Sequence, residues 1–253
     1  MEGKAKEPGL RALLLAAGYG TRLGRLGERL PKALLTVPGD GRRVGDHLLD
    51  SLSRVPGVEQ VIVVTNRRFR APLEQWLDVA RSSFPAPLRL LCNGTRTPEQ
   101  RLGAVGDLCF ALDHLGDERD LFVLATDTIY DFELSRFVEA FRKRQEAEVL
   151  LPVVAEEPSS LHRRGVVVLG PDQRVVRFEE KPATAPSRDT VPPLYLLRAP
   201  VARMVPRYLE EKRDPDSLGL LVRWLVSRVR VEGWRAPGGR LDLGDPENVI
   251  PPA

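Results

Sequence analysis

The stretch Arg11-Ala12-Leu13-Leu14-Leu15-Ala16-Ala17-Gly18-Tyr19-Gly20-Thr21-Arg22-Leu23 decides how this chain folds. Its apolar run is short, stops at glycine and has no helical period, so it reads as a buried strand. The glycines after it let backbone N–H groups approach an anion or a base with no Cβ in the way. Arg22 adds a forked guanidinium suited to phosphate oxygens, and Lys32, after Pro31, adds a mobile point charge. These parts suit a nucleoside triphosphate. The loop is not a Walker A, because no Gly-Lys-Ser/Thr closes it. Nor is it a dinucleotide fingerprint, because Arg22 stands near where a third glycine would pack helix on strand.

Outward from this loop, short apolar runs alternate with stretches of helical period. Strands are expected at Gln60 to Thr65, Leu88 to Cys92, Leu121 to Ala125 and Glu148 to Val154. Helices are expected at Asp46 to Val55, Phe69 to Val79, Arg101 to Leu115 and Glu133 to Gln145. This order predicts an α/β fold: a Rossmann-like, mostly parallel sheet with helices on both faces and ligands at the carboxyl ends of the strands. After Pro158 the pattern changes. Gly165 to Leu169 and Val175 to Phe178 read as a hairpin around Gly170-Pro171-Asp172. Leu194 to Leu197 and Val231 to Trp234 read as strands, Pro200 to Tyr208 and Leu218 to Val229 as helices, and Pro182 to Pro193 as a loop. The expectation is one domain over 1–253, with residues 10–155 mainly binding nucleotide and 156–253 mainly binding the second substrate.

The bulk composition narrows the classes. The chain has 253 residues, 42% hydrophobic and 29% charged, enough apolar material for a sizeable core. No apolar run approaches the roughly 18 residues that span a bilayer. Residues 1–8 are charged and polar, unlike a secretory signal. A cytoplasmic protein with no membrane partner is therefore expected. Two cysteines, Cys92 and Cys109, exclude a disulfide framework. A net charge of +3 fits small anionic substrates as easily as nucleic acid. Arg67-Arg68 and Arg142-Lys143-Arg144 have no interleaved aromatics and read as solvated faces, so no nucleic-acid partner is expected.

Leu-Ala-Ala-Gly-x-Gly-Thr-Arg-Leu followed by Pro-Lys resembles the signature of the sugar-1-phosphate nucleotidylyltransferases, such as glucose-1-phosphate thymidylyltransferase and its relatives. The resemblance runs from about Leu10 to Asn248. Four later landmarks carry it: Asn93-Gly94-Thr95 with Arg101 to Asp107, Thr126-Asp127, Glu179-Glu180-Lys181-Pro182, and Leu241-Asp242-Leu243-Gly244-Asp245-Pro246-Glu247. It implies the nucleotide-diphospho-sugar transferase type of fold, with a small β-rich sugar-binding insertion. It also implies an enzyme that joins a nucleoside triphosphate, expected to be dTTP or UTP, to a sugar 1-phosphate and releases pyrophosphate. Residue by residue, Gly18, Gly20, Thr21 and Arg22 would wrap the triphosphate, with Ala16 and Ala17 near base and ribose. Asn93 and Gly103 would frame the base. Asp127 and Asp242 would bind Mg²⁺. Glu180 would hold sugar hydroxyls and Lys181 the sugar phosphate, with Gly165 and Tyr195 beside the sugar. Arg22, Lys32 and Lys181 would be the catalytic cations.

The chemistry is consistent with that division. Two anions must meet, so positioning and charge neutralisation dominate. A phosphomonoester loses its second proton near about pH 6, so no general base is required. Each residue also has a plainer reading. Asp127 and Asp242 could serve turns or caps, and Glu180-Lys181 could be a surface pair. His47, His114 and His162 show no ligand spacing, and Trp76 and Trp224 read as core or interface. The chain departs from the resemblance at Thr126 and Thr128 around Asp127, at Ala17, and at Arg164, where an aromatic is common. A glycosyltransferase would need Asp-x-Asp, which Thr126-Asp127-Thr128 lacks. Transfer to another phosphate, such as phosphocholine, and a non-catalytic nucleotide-sugar binder stay open; oligomeric state is not legible.

Overall fold

A computed structural model describes residues 9–115, 119–244 and 248. In chain order the first half gives β1 (Leu10–Leu15), α1 (Arg25–Arg29), α2 (Val44–Ser53), β2 (Val58–Thr65), α3 (Arg70–Ala80), β3 (Leu88–Cys92) and α4 (Gly103–Asp113). Then come β4 (Asp120–Ala125), β5 (Thr128–Tyr130), α5 (Leu134–Lys143) and β6 (Val149–Ala155). The second half gives β7 (Gly165–Leu169), β8 (Val175–Glu180), β9 (Asp189–Val191), β10 (Leu194–Leu197), α6 (Ala199–Ala202), α7 (Val205–Glu210), α8 (Leu218–Val226), β11 (Val231–Arg235) and β12 (Arg240–Asp242).

The large sheet runs β3-β2-β1-β4-β10-β6-β9-β7-β8, with β11 also paired to β6. β1 is parallel to both β2 and β4, and β2 to β3. β10 breaks the parallel order: it lies antiparallel between β4 and β6. The sheet is thus mostly parallel, as the sequence predicts, with a reversed strand from the second half set into its middle.

Alternation along buried strands feeds two cores. Ala12 and Leu14 of β1, with Val61, Val63, Phe122 and Leu124, pack under α2, α3 and α5 through Leu48, Trp76 and Phe137. Leu13, with Ile62, Val64 and Val123, packs on the other face against Val105 and Leu108 of α4 and Leu221 and Trp224 of α8. Trp76 and Trp224 are core residues, and each donates its indole N–H to a carboxylate, Asp46 and Glu211, at 2.8 Å.

Two expectations about elements need correction. The single helix over Pro200 to Tyr208 is two, α6 and α7, because Pro206 has no N–H to give and its ring would clash with the carbonyl of Ala202. The loop over Pro182 to Pro193 contains β9. Its Thr190 hydroxyl donates to Val154 O at 3.0 Å, and its backbone bridges β6 and β7. The two-stranded pairing of β12 with β5 has no counterpart in the sequence reading. It is the piece that assembles the site.

Candidate active site

The parallel strands end in a cleft of about 510 Å³ lined by residues of both halves. β1 delivers Ala16, Ala17 and Gly18 to it. This loop is held from below: Ala16 N–H donates to Val64 O at 2.8 Å, and the fully buried Asn66 donates its side-chain amide to Ala17 O at 2.9 Å. Gly20 sits at φ 64°, and a Cβ there would come within 2.8 Å of Gly27 Cα. Gly20 therefore closes the loop on the chain that follows. Of the loop residues expected around a triphosphate, Gly18 and Arg22 line the cleft; Gly20 and Thr21 do not.

The centre of the cleft is built by β5 and β12. Asp127 immediately precedes β5, Asp242 ends β12, and their pairing sets Asp242 opposite Thr128 while Leu243 N–H donates to Asp127 O at 2.7 Å. Residues 115 apart in sequence thus present their carboxylates together. A Cβ built on Gly244 would lie 2.6 Å from Asp127 Oδ2, 3.0 Å from Asp242 Oδ1 and 3.0 Å from Lys32 Nζ. Three charged groups converge on a space that only glycine leaves open.

Each carboxylate has a cation. Lys32 Nζ donates to Asp127 Oδ2 at 2.6 Å, and Arg164 pairs with Asp242. Burial pushes the Asp127 carboxyl up, but Lys32, the Thr128 hydroxyl and Arg22 outweigh it, and the net shift is downward. Asp127 is ionised at neutral pH. Asp242 Oδ1 also accepts from Gly244 N–H at 2.9 Å, so the turn role open to it in the sequence is present beside the cleft role. The two threonines around Asp127 line the cleft and also brace it. Thr126 donates to Leu15 O at 3.0 Å, tying β4 to β1, and Thr128 donates to Asp127 Oδ1 at 3.2 Å.

Arg164 also reaches Glu156 at 3.4 Å, and Glu156 meets Arg240 at 2.6 Å, so the pair Arg164–Asp242 belongs to a half-buried chain of alternating charge. Sequence reading marked Arg164 only as a departure; its long reach to Asp242 becomes visible once β12 is placed.

The second half supplies the far wall with Gly165, Glu180, Lys181 and Tyr195. The Glu180 carboxylate lies over two backbones: a Cβ on Gly219 would meet its Oε2 at 1.9 Å, and one on Gly165 would meet it at 3.3 Å. Burial raises its pKa. Lys181 holds a positive φ of 49°, fixed by its N–H donating to Arg164 O at 2.9 Å. A lysine there is strained, and from that backbone Lys181 lines the cleft with its ammonium 3.9 Å from Glu180 Oε1. Burial also raises the Tyr195 phenol.

The remaining wall is the first turns of α4. Gly103, Ala104 and Asp107 line the cleft. Gly103 has φ 79° and its Cα lies against the backbone of Pro215, where a Cβ would come to 2.4 Å of Pro215 O. Asn93, expected beside the base, is not in the lining. It donates its amide to Asp107 Oδ1 at 2.7 Å, and Asp107 is the group that faces the cleft. Desolvation, opposed by the Asn93 bond and aided by Asp216, pushes the Asp107 carboxyl up to about 6. The signal for Asp107 in the sequence was a lone acidic residue on the apolar face of a helix.

Among the described residues no cluster of three or more His, Cys, Asp or Glu could hold a metal, and no helix is long and apolar enough to cross a membrane. The expected Asp245-Pro246-Glu247 landmark lies outside the described residues.

A doubly covered, mostly parallel sheet with a cation- and carboxylate-lined cleft at its strand ends defines an α/β protein whose ligand site lies at the carboxyl ends of the strands. The chain belongs to the Nucleotidyl transferase family, whose model matches residues 11–250. Human mannose-1-phosphate guanylyltransferase regulatory subunit alpha is 30% identical over 179 residues, which cover 69% of this chain and 41% of that protein. The UTP–glucose-1-phosphate uridylyltransferase AglF of Haloferax volcanii is 27% identical over 246 residues, covering 94% of this chain and 93% of that protein. A solved UDP-glucose pyrophosphorylase complexed with UDP-glucose shares the fold at TM-score 0.78 and 19% identity, covering 95% of each chain. The chain spans only 41–50% of the length of the mammalian regulatory subunits it matches. Its resemblance to the sugar-1-phosphate nucleotidylyltransferases is thereby upheld, as is the fold class.

Proposed function

We propose that this protein transfers a nucleotidyl group from a nucleoside triphosphate to a sugar 1-phosphate. An oxygen of the sugar phosphate forms a bond to the α-phosphorus, the bond from that phosphorus to the β-bridging oxygen breaks, and pyrophosphate leaves with the electron pair. The observation that carries this reading is the convergence of Lys32, Asp127 and Asp242 beside Gly244. Arg22, whose charge helps to lower the Asp127 pKa, and Lys181 line the same cleft.

Each residue's task follows from its charge and place. Arg22 and Lys32 neutralise the triphosphate, and Lys181 holds the sugar phosphate, so the repulsion between two anions is offset while they are aligned. Glu180, with its carboxylate laid against the backbones of Gly165 and Gly219, accepts hydrogen bonds from sugar hydroxyls, and Tyr195 walls the sugar. Gly18, Ala16 and Ala17 receive the nucleoside along the end of β1. No proton needs to be removed by the protein, in keeping with the absence of histidine from the cleft lining.

The donor set fits Mg²⁺. Two hard carboxylates side by side, one of them held ionised, leave the remaining positions for phosphate oxygens and water, the arrangement this ion favours. When bound, the ion would supply positive charge to the phosphate oxygens at Asp127 and Asp242. The cytoplasm, where nucleoside triphosphates are made, is the compartment this reading implies.

The test is pyrophosphate release from a panel of nucleoside triphosphates and sugar 1-phosphates with Mg²⁺. Release with at least one pair is expected. One finding favours a second reading: the human relative's name is that of a regulatory subunit. A nucleotide-sugar sensor would bind the product tightly and release no pyrophosphate with any pair, and that outcome would replace the catalytic reading.

A further inference from the structure

We infer that Asp107 reads the nucleobase, and that it selects a base whose pairing edge carries donors, guanine above all, over uracil and thymine. This deepens the nucleotide reading of the cleft and departs from the pyrimidine donor that the sequence resemblance suggested.

The argument begins with the direction of one hydrogen-bond chain. Tyr19 O–H donates to Thr95 Oγ1 at 3.0 Å. Thr95 donates to Asn93 Oδ1 twice, from its hydroxyl at 2.8 Å and its backbone N–H at 3.0 Å. With its oxygen thus occupied, Asn93 can present only its NH₂, which goes to Asp107 Oδ1 at 2.7 Å. Among the described residues no donor reaches Asp107 Oδ2. The chain therefore ends in an acceptor on the wall of the cleft, on the same helix as Gly103 and Ala104, in the cleft that Ala16, Ala17 and Gly18 also line.

A buried carboxylate with a spare oxygen needs donors. Guanine offers two adjacent ones, N1–H and the N2 amino group, which match a carboxylate edge in a fork of two charge-assisted bonds. Adenine and cytosine each offer one amino group next to a ring nitrogen acceptor. Uracil and thymine set N3–H between two carbonyl oxygens, and both oxygens would face the negative charge. The expected order is guanine first, adenine and cytosine next, uracil and thymine last. Among the described residues the charge that acts on Asp107 is Asp216, which is itself engaged by Arg101 at 2.8 Å.

The same fixed Asn93 makes Asp107→Asn a sharp test. Asn93 must still donate to residue 107, so the new amide keeps its oxygen on that side and turns its NH₂ into the cleft. The wall changes from acceptor to donor with almost no change in shape. Affinities of GDP, UDP and dTDP should be measured by titration calorimetry on both proteins, with Mg²⁺. For the wild type, GDP is expected to bind at least about tenfold more tightly than UDP or dTDP. In Asp107→Asn, GDP should weaken about tenfold or more while UDP and dTDP hold or improve, because their O4 now meets a donor. Equal or tighter binding of UDP or dTDP by the wild type would overturn the assignment, and so would an equal loss for all three in the variant. Binding is read without turnover, so a protein that discriminates as expected yet releases no pyrophosphate would sink the catalytic reading and leave this one standing.

Discussion

The two ends of the cleft hold their carboxylates by opposite means. At the centre, Asp127 and Asp242 each sit against a cation, Lys32 and Arg164, and Asp127 is kept below the ordinary carboxylate range despite its burial. At the α4 wall, Asp107 is also enclosed, but its hydrogen-bond partner is the neutral Asn93 amide and the charge acting on it is the like-signed Asp216, and its carboxyl rises to about 6. The first arrangement fixes negative charge permanently where phosphates and a hard cation would meet. The second leaves a costly acceptor turned toward the ligand. Compensated charge suits chemistry, and uncompensated charge suits recognition.

Breaking the compensated end should have the largest effect. Asp127→Asn removes the negative charge that Lys32 is paired with, and pyrophosphate release should fall by about a thousandfold or more with the melting temperature little changed. Near-normal release would remove Asp127 from the centre. Gly244→Ala is subtler, since it alters no charge. Its methyl would stand 2.6 Å from Asp127 Oδ2 and fill the space the three charged groups share. Release should drop by about a hundredfold, and a fall of less than threefold would show that the space is not used.

At the uncompensated end the readout is stability. Asp107 titrates at about 6 in the folded protein against an ordinary 3.8, so the folded state binds the proton more tightly than the unfolded chain does. The cost is absent below about pH 4, grows between pH 4 and 6, and is fully present above that, on the order of 2–3 kcal/mol. Asp107→Asn should therefore be more stable than the wild type in urea at pH 7.5, and that advantage should vanish near pH 4. An advantage independent of pH would contradict the comparison. Asp127 has the opposite sign: its lowered pKa contributes stability above the ordinary carboxylate range that is lost as the pH falls through the folded value. The smallest effect belongs to Thr126→Val, which removes the hydroxyl bond to Leu15 O and should cost about 1 kcal/mol in the same urea assay. No loss would mean the tie between β1 and β4 is redundant.

The strands and helices of the first half were legible because buried parallel strands write themselves as unbroken apolar runs. Leu88–Cys92 and Leu194–Leu197 match their predicted bounds. Strands of three residues carry no such pattern. β5, β9 and β12 are held by long-range partners, so Asp189–Val191 looked like loop and the pairing that joins Asp127 to Asp242 was invisible. In the site, glycine spacing and the strand-end aspartate pointed to Gly18, Arg22 and Asp127. Asn93 was noticed for its position, yet the cleft-facing group is its partner Asp107, fourteen residues on. A hydrogen-bond chain that passes through two loops and a helix has no period and leaves no local trace in the sequence.

The measurement nearest the central claim follows the phosphorus itself. A nucleoside triphosphate labelled at its α-phosphate, incubated with a sugar 1-phosphate and Mg²⁺, should pass its label into a nucleotide-sugar while the β- and γ-phosphates leave as pyrophosphate. Label that stays in the triphosphate, or emerges as free nucleoside monophosphate, would contradict it.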